Sequence, residues 1–122
     1  MTPNAFRAAA ASLPGVQSVA VMETEVFKVR GRAFATLNWP APGWAVVKLR
    51  LAEQKRLIAQ SRALAREPGL RGKRGVTVVQ LQALNEAEGA EVLAEAWGLA
   101  YGGARVSAET VMSAISAATD AR

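Results

Sequence analysis

Two segments of this chain decide its fold: Val26-Phe27-Lys28-Val29-Arg30-Gly31-Arg32-Ala33-Phe34-Ala35-Thr36-Leu37 and Trp44-Ala45-Val46-Val47-Lys48-Leu49. Both are rich in β-branched and aromatic residues, which favour strands. The first segment has Arg30-Gly31 in its middle and therefore predicts a β-hairpin. The loop between the segments, residues 38–43, contains two prolines, which cannot continue a strand ladder. The whole stretch predicts the centre of an antiparallel sheet.

The turn of the hairpin decides which residues face each other. A two-residue loop at Arg30-Gly31 places Phe27 opposite Phe34, an aromatic pair worth roughly 0.2–1 kcal/mol over Ala–Ala. A tight primed turn needs a positive φ at its first central residue, which Gly adopts freely and Arg does not. A three-residue loop with Gly31 in a bulge is therefore an alternative that shifts the pairing. In both cases a projecting tip carries three cations: Lys28, Arg30 and Arg32.

Caps and hydrophobic periodicity predict the other elements. In chain order they are a helix over residues 3–12 with Thr2 as N-cap, a strand over 16–22, a helix over 52–65, a flexible basic loop over 66–75, a strand over 76–81, a helix over 86–101 with an Asn85/Glu88 capping box, and a last short helix with Val111, Met112 and Ile115 as its apolar stripe.

The strand over residues 76–81 has an unusually apolar outward row. If Thr77, Val79 and Leu81 face the core, then Val76 and Val78 face outward. Exposed apolar rows mark interaction sites. The candidate interaction face of the sheet consists of Trp44, Val46, Val76 and Val78.

Composition excludes several classes of chemistry. The chain has 122 residues, enough for one domain, and contains neither cysteine nor histidine. Disulfides, thiolate or histidine catalysis and Cys/His metal sites are therefore excluded, and no metal or cofactor is expected. No apolar run approaches the roughly 20 residues of a membrane span, and residues 1–7 do not resemble a signal peptide. We expect a cytoplasmic protein without a membrane partner.

The positive charge is concentrated in the middle of the chain. Residues 26–74 contain twelve Lys/Arg and two Glu, whereas residues 75–122 contain two Arg against six carboxylates. A localised positive field attracts polyanions. This asymmetry predicts DNA or another polyanion as the partner.

The segments described above resemble the MmcQ/YjbR family of small bacterial proteins. The resemblance is carried by residues 1–16, the hairpin 26–37, Ala45-Val46-Val47-Lys48-Leu49 with Glu53-Gln54, Gly72-Lys73-Arg74-Gly75-Val76-Thr77 and Leu93-Ala94-Glu95-Ala96-Trp97. It implies a CyaY-like α+β fold, an antiparallel sheet covered on one face by helices. Residues 1–104 would form this single domain, and residues 105–122 a C-terminal short helix and tail of the same domain.

The family also implies a DNA-binding role through two loops, or wings, that project from the sheet. One wing would be the hairpin tip with Lys28, Arg30 and Arg32. The other would be the loop with Arg71, Lys73 and Arg74, and Lys48 would lie on the strand between them. We expect a monomer or weak homodimer that binds through these residues.

Two other functions compete with nucleic-acid binding. The first is a protein-interaction or small-ligand module that uses the apolar sheet face, whose binding would depend only weakly on salt. The second is an enzyme, for which Glu23 and Glu25 are the candidate carboxylate couple near the sheet. Two acids one residue apart on a strand share a face but need not converge on a substrate, so the expectation is that the protein is not an enzyme.

Overall fold

The computed structural model of the chain describes residues 1–103 and 105–120, with side chains as far as residue 117. Its elements in chain order are α1 (Pro3–Ser12), β1 (Val16–Val21), β2 (Thr24–Val29), β3 (Arg32–Leu37), β4 (Trp44–Lys48), α2 (Leu51–Gln60), β5 (Leu64–Arg66), α3 (Leu70–Lys73), β6 (Val76–Gln80), a 3₁₀ turn (Leu81–Ala83), α4 (Glu86–Ala100) and α5 (Ala108–Asp120). Residues 121 and 122 of the predicted C-terminal tail lie outside this description.

The strands form one antiparallel sheet in the order β1-β2-β3-β4-β6-β5. The core lies between one face of this sheet and the helices. Phe6 of α1 packs edge-on against Phe27 of β2, with ring centroids 6.4 Å apart. Leu93 of α4 and Ile115 of α5 are completely buried in the same core. The predicted α+β class, with helices covering one face of an antiparallel sheet, is confirmed.

The predicted helix caps are also present. The Thr2 hydroxyl accepts a hydrogen bond from the Ala5 amide at 3.0 Å, which satisfies one of the free donors at the start of α1. Asn85 and Glu88 form a reciprocal capping box at the start of α4. Among the described residues, none of the helices has the length and apolar character needed to cross a bilayer.

The predicted Phe27–Phe34 pairing is wrong, although the hairpin turn has two residues. Arg30 and Gly31 have φ values of 53° and 75°, so Arg30 does adopt the conformation that its side chain disfavours. Val29 faces Arg32, but Phe27 faces Ala35, because Phe34 is an extra residue in β3. This β-bulge turns two consecutive side chains, Phe34 and Ala35, into the core.

The predicted helix over residues 52–65 is too long, and the predicted flexible loop over residues 66–75 is wrong. α2 ends at Gln60, and β5 pairs with β6 through contacts that include Leu64 opposite Val79. Periodicity cannot detect this strand, because its stability comes from tertiary pairing that covers the edge of β6. After β5 the chain forms α3, a single helical turn, before it enters β6.

Candidate nucleic-acid interface

The strand registers bring the predicted basic residues together at one end of the sheet. The β2–β3 turn, the end of β4, the end of β5 and the start of β6 all lie at this end, since Lys48 faces Val76 and Arg66 faces Thr77. We call residues 28–32, 48–50 and 66–74 the basic end. These segments contain nine cations and one carboxylate, Glu67. The cations are Lys28, Arg30, Arg32, Lys48, Arg50, Arg66, Arg71, Lys73 and Arg74.

Arg30 lies in the hairpin turn, but its side chain is held against the end of α4. Its Nη1 donates a hydrogen bond to the Tyr101 carbonyl at 3.0 Å, and its guanidinium carbon lies 3.9 Å from the centroid of the Tyr101 ring. Tyr101 in turn stacks on Trp97 at 4.6 Å. Because a cation at a helix C-terminus satisfies the last carbonyls, Arg30 fixes the tip to the end of α4. Lys28 and Arg32 remain exposed beside it.

Two glycines fix the second predicted wing, Gly72 by a close approach within the wing itself and Gly75 by a close approach to the end of β4. A Cβ on Gly72 would stand 1.7 Å from the Glu67 carbonyl oxygen, and a Cβ on Gly75 would stand 2.0 Å from the Leu49 carbonyl oxygen. Only glycine permits so close an approach of two backbone segments. The Leu49 amide also donates to the Gly75 carbonyl at 2.9 Å. The wing is therefore a packed segment, and the motif Gly72-Lys73-Arg74-Gly75 exposes two cations between two fixed points.

Gln54 joins α2 to the same segment from within the core. Its side-chain amide nitrogen lies 3.0 Å from the Gly72 carbonyl oxygen and 3.2 Å from that of Val76, and it also donates to the Thr77 hydroxyl. Gln54 and Thr77 are completely buried. Because a buried polar group is stable only when its partners are in place, this network fixes α3 relative to β6. The Gln54 Oε1 atom, by contrast, has no protein partner among the described residues.

Ion pairs involve few of the basic end's cations. Within residues 1–103 and 105–117, the basic end contains one ion pair, between Arg71 and Glu67 at 3.2 Å. The pair is exposed on the Arg71 side, so it contributes little to stability. Lys73 and Arg74 are exposed and belong to none of the ion pairs in this part of the chain. They are therefore free to contact an anion.

The helix-free face of the sheet carries an apolar row across all six strands. Directly paired residues of an antiparallel sheet point to the same face, and the row consists of Val19, Val26, Thr36, Val46, Val78 and Ala65. Two residues of the predicted interaction face are not exposed, since Val46 and Val76 are only 6% and 8% exposed. Trp44 and Val78 are half-buried. Both buried valines line a shallow cavity with Lys48 and Arg71, so this face adjoins the basic end.

Sequence reasoning missed several residues of both surfaces. Val19 and Val21 of the edge strand β1 are about half exposed on the apolar face, at 49% and 51%. The sequence shows that these valines alternate with other residues along β1. It does not show which face of the sheet the helices cover. Arg50 and Arg66 also belong to the basic end. Both lie within the basic stretch of sequence. Only the strand registers show that they lie at the same end of the sheet as the two predicted wings.

The two candidate carboxylates of an enzyme do not form a couple. Glu23 lies in the β1–β2 turn, and Glu25 on β2 accepts a hydrogen bond from the Arg7 Nε at 2.6 Å. Over the described residues, no group of three or more acidic side chains is arranged to hold a metal ion. The hydrogen bonds that Arg56 of α2 donates to Glu53, and then to Glu91, raise the pKa of Arg56.

This architecture defines a small α+β protein whose antiparallel sheet has one helix-covered face and one basic end. A sequence model of the YjbR family matches residues 11–99, and the chain therefore belongs to that family. Its fold is similar to the crystal structure of the Deinococcus radiodurans protein DR2400, whose domain is classed as DUF419. The two are 24% identical and superpose with a TM-score of 0.63 over 88% of this chain and 84% of that one. No functionally curated protein matches the chain.

Proposed function

We propose that the basic end binds the phosphate backbone of nucleic acid and that the protein acts by binding rather than by catalysis. The observation that carries the proposal is the concentration of nine cations against one carboxylate in three segments at one end of the sheet. Such a field attracts a polyanion and accelerates its encounter with the protein.

The rigidity of the frame supports this proposal. Gly72, Gly75 and Gln54 hold the segment that presents Lys73 and Arg74. A preorganised site loses less conformational entropy on binding than a flexible one, so its cations contribute more of their electrostatic attraction to affinity. We propose that DNA is bound by the cations of the basic end other than Arg30. The Arg30 guanidinium already donates to the Tyr101 carbonyl at the end of α4.

The contacts favour phosphate over base recognition. Phosphate contacts position a protein on nucleic acid, whereas sequence is recognised in the grooves. α3 has only four residues, which is too short to act as a recognition helix. We therefore expect weak binding, with a Kd on the order of 10⁻⁵ M at physiological salt, and little preference among sequences.

A salt titration with matched variants tests the proposal. Binding to duplex DNA is measured by fluorescence anisotropy at several salt concentrations for the natural protein and for Lys73→Ala with Arg74→Ala. Each lost phosphate contact lowers the slope of log K against log salt by about 0.9, so the double variant should lose about 1.8. The control is Lys55→Ala with Arg62→Ala, which removes the same two side-chain types from exposed positions outside the basic end.

The two variants together decide the outcome. A slope that falls for the first variant and stays constant for the control supports the basic end as the binding site. If the slope is the same in all three proteins, or if the natural protein does not bind at low salt, the proposal is wrong.

A second candidate function is protein binding through the apolar row. Val19 and Val21 favour it, because both lie half exposed on the same sheet face as the partly buried residues of β4 and β6. Val19→Lys should abolish such binding while leaving the fold intact. Capture of a partner that is insensitive to salt and lost in Val19→Lys would support this function over nucleic-acid binding.

A further inference from the structure

The bulge in β3 opens a cleft between two neighbouring strands of the sheet. The β3–β4 ladder runs from Leu37 opposite Ala45 to Ala35 opposite Val47 and ends there. β3 continues to Arg32 and β4 to Lys48, so the strands separate at the basic end. The space between them is a cavity of about 380 Å³, which we call the β3–β4 cleft. This volume is within the range of about 300–1,000 Å³ that small-molecule sites occupy.

The inner part of the cleft is apolar. Phe34 and Ala33 line it on the sheet side, and the last turns of α4 line the other side with Ala96, Leu99 and Ala100. Phe34 is 1% exposed and therefore forms part of the wall rather than a mobile cover. The accessible apolar walls are Ala33 on the strand and Leu99 on the helix, and a space between two such walls suits an apolar ring.

The polar part of the cleft is cationic. Arg32 and Lys48 line it, and no carboxylate of residues 1–103 or 105–117 does. Both side chains are exposed, and among the described residues neither belongs to an ion pair. A guanidinium and an ammonium group that line the same cavity can both bind the oxygens of one phosphate.

The end of α4 does not counteract this positive charge. A helix C-terminus carries partial negative charge, which would repel an anion nearby. Here Arg30 donates to the Tyr101 carbonyl, and Arg50 Nη2 lies 3.7 Å from the position that a Cβ of Gly103 would take. The Arg30 guanidinium offsets the helix terminus, and Arg50 lies near the residues that follow it.

We propose that the β3–β4 cleft binds a single nucleotide, with its phosphate on Arg32 and Lys48 and its base against Ala33 and Leu99. The ligand is defined by its chemistry, a phosphate joined to a flat ring. It is either a free mononucleotide or the terminal nucleotide of a strand. The inference goes beyond the proposed function, because a free nucleotide in the cleft needs no contact with duplex DNA.

The test compares one ligand with its two halves. The ¹⁵N-labelled protein is titrated separately with AMP, adenosine and inorganic phosphate, and amide shifts are followed by NMR. AMP should move the amides of Phe34 and Leu99 and bind at least ~10-fold more tightly than adenosine or phosphate, since a hydrogen-bonded charged group contributes about that factor. Equal affinity for AMP and phosphate would overturn the proposal, because the apolar wall would then contribute nothing.

Two variants locate the binding. Ala33→Trp fills the mouth of the cleft at an exposed strand position, and Lys48→Ala removes one cation. Each should weaken AMP binding by ~10-fold or more. The controls are Ala20→Trp, at an exposed position of β1, and Arg62→Ala, at an exposed position outside the basic end. If AMP binds Ala33→Trp as well as it binds the natural protein, the cleft is not its site.

A competition experiment identifies the source of the nucleotide. A 5′-phosphorylated single strand that displaces AMP assigns the cleft to strand ends, whereas a strand that does not displace it assigns the cleft to free nucleotides; both results support the site. Absence of AMP binding overturns the inference. Duplex binding by the natural protein separates this failure from that of the proposed function, because it is measured without AMP and depends also on Lys73 and Arg74, which do not line the cleft.

Discussion

Arg30 at the hairpin tip and Tyr101 at the end of α4 are joined twice, by a hydrogen bond to the Tyr101 carbonyl and by a guanidinium placed 3.9 Å from its ring centroid. Two cations close together in the sequence, Arg30 and Arg32, consequently have different roles. The first connects the sheet to a helix, and the second is exposed to the solvent and to any ligand.

We predict that Arg30→Ala lowers the free energy of unfolding by roughly 1–2 kcal/mol, because the cation–π contact and the hydrogen bond are both lost. Arg32→Ala should leave stability unchanged within about 0.5 kcal/mol and lower the DNA salt slope by about 0.9. Chemical denaturation and anisotropy titrations measure the two effects. The opposite assignment, with Arg32 stabilising and Arg30 dominating the salt slope, would refute these roles.

Gly72 and Gly69 provide a pair of substitutions that separates packing from backbone strain. Gly72→Ala should destabilise the protein by at least about 2 kcal/mol, because the new methyl group would overlap the Glu67 carbonyl. Gly69 has a φ of 92° and a ψ of −161° but nothing within 4 Å of its Cβ position, so Gly69→Ala should cost about 1–3 kcal/mol, all of it conformational strain. Thermal unfolding compares the two. Equal losses would show that the close approach at Gly72 is relieved by movement of the chain.

Gln54→Leu should lower the free energy of unfolding by about 1–3 kcal/mol, since the carbonyls of Gly72 and Val76 lose a buried donor. The matched control is Gln60→Leu on the exposed face of the same helix, which should change stability by less than about 0.5 kcal/mol. Urea denaturation measures both variants. Similar stability of Gln54→Leu and Gln60→Leu would mean that the buried amide does not hold α3 in place.

Glu67 is the only carboxylate of the basic end, and its removal should strengthen DNA binding. Glu67→Gln releases Arg71 from its ion pair and removes a charge that repels phosphate. We expect tighter binding and a steeper salt slope, by about 0.9 if Arg71 gains one phosphate contact. Glu23→Gln changes the net charge equally at the opposite end of the sheet and serves as the control. Equal gains from both variants would indicate a general effect of net charge.

The fold was predictable where local pattern and tertiary structure agree. Residues 24–37 and 44–48 alternate as strands, and Thr2 and Asn85 cap helices as expected. Prediction failed where long-range contacts decide. β5 exists because it pairs with β6, and Phe34 is bulged because the core accommodates it beside Ala35. Neither contact leaves a periodic signal in the sequence.

The candidate site was predictable in its charge but not in its geometry. The count of Lys and Arg located the basic stretch, and the strand registers bring its two wings to the same end of the sheet. Sequence could not separate Arg30, which is engaged by Tyr101, from Arg32, which is not. It also could not place Val46 and Val76 in their partly covered positions, because burial depends on what packs beside each strand.

In the segment from Gly72 to Gly75, the two glycines fix the backbone, whereas the side chains of Lys73 and Arg74 are exposed. Gly72 and Gly75 are fixed by contacts with the carbonyl oxygens of Glu67 and Leu49, and the exposed side chains between them have no such constraint. Under the proposed function, substitutions at positions 73 and 74 would change the attraction of ligands without changing the fold. The partner of such a protein could then diverge at these two positions long before its architecture changes.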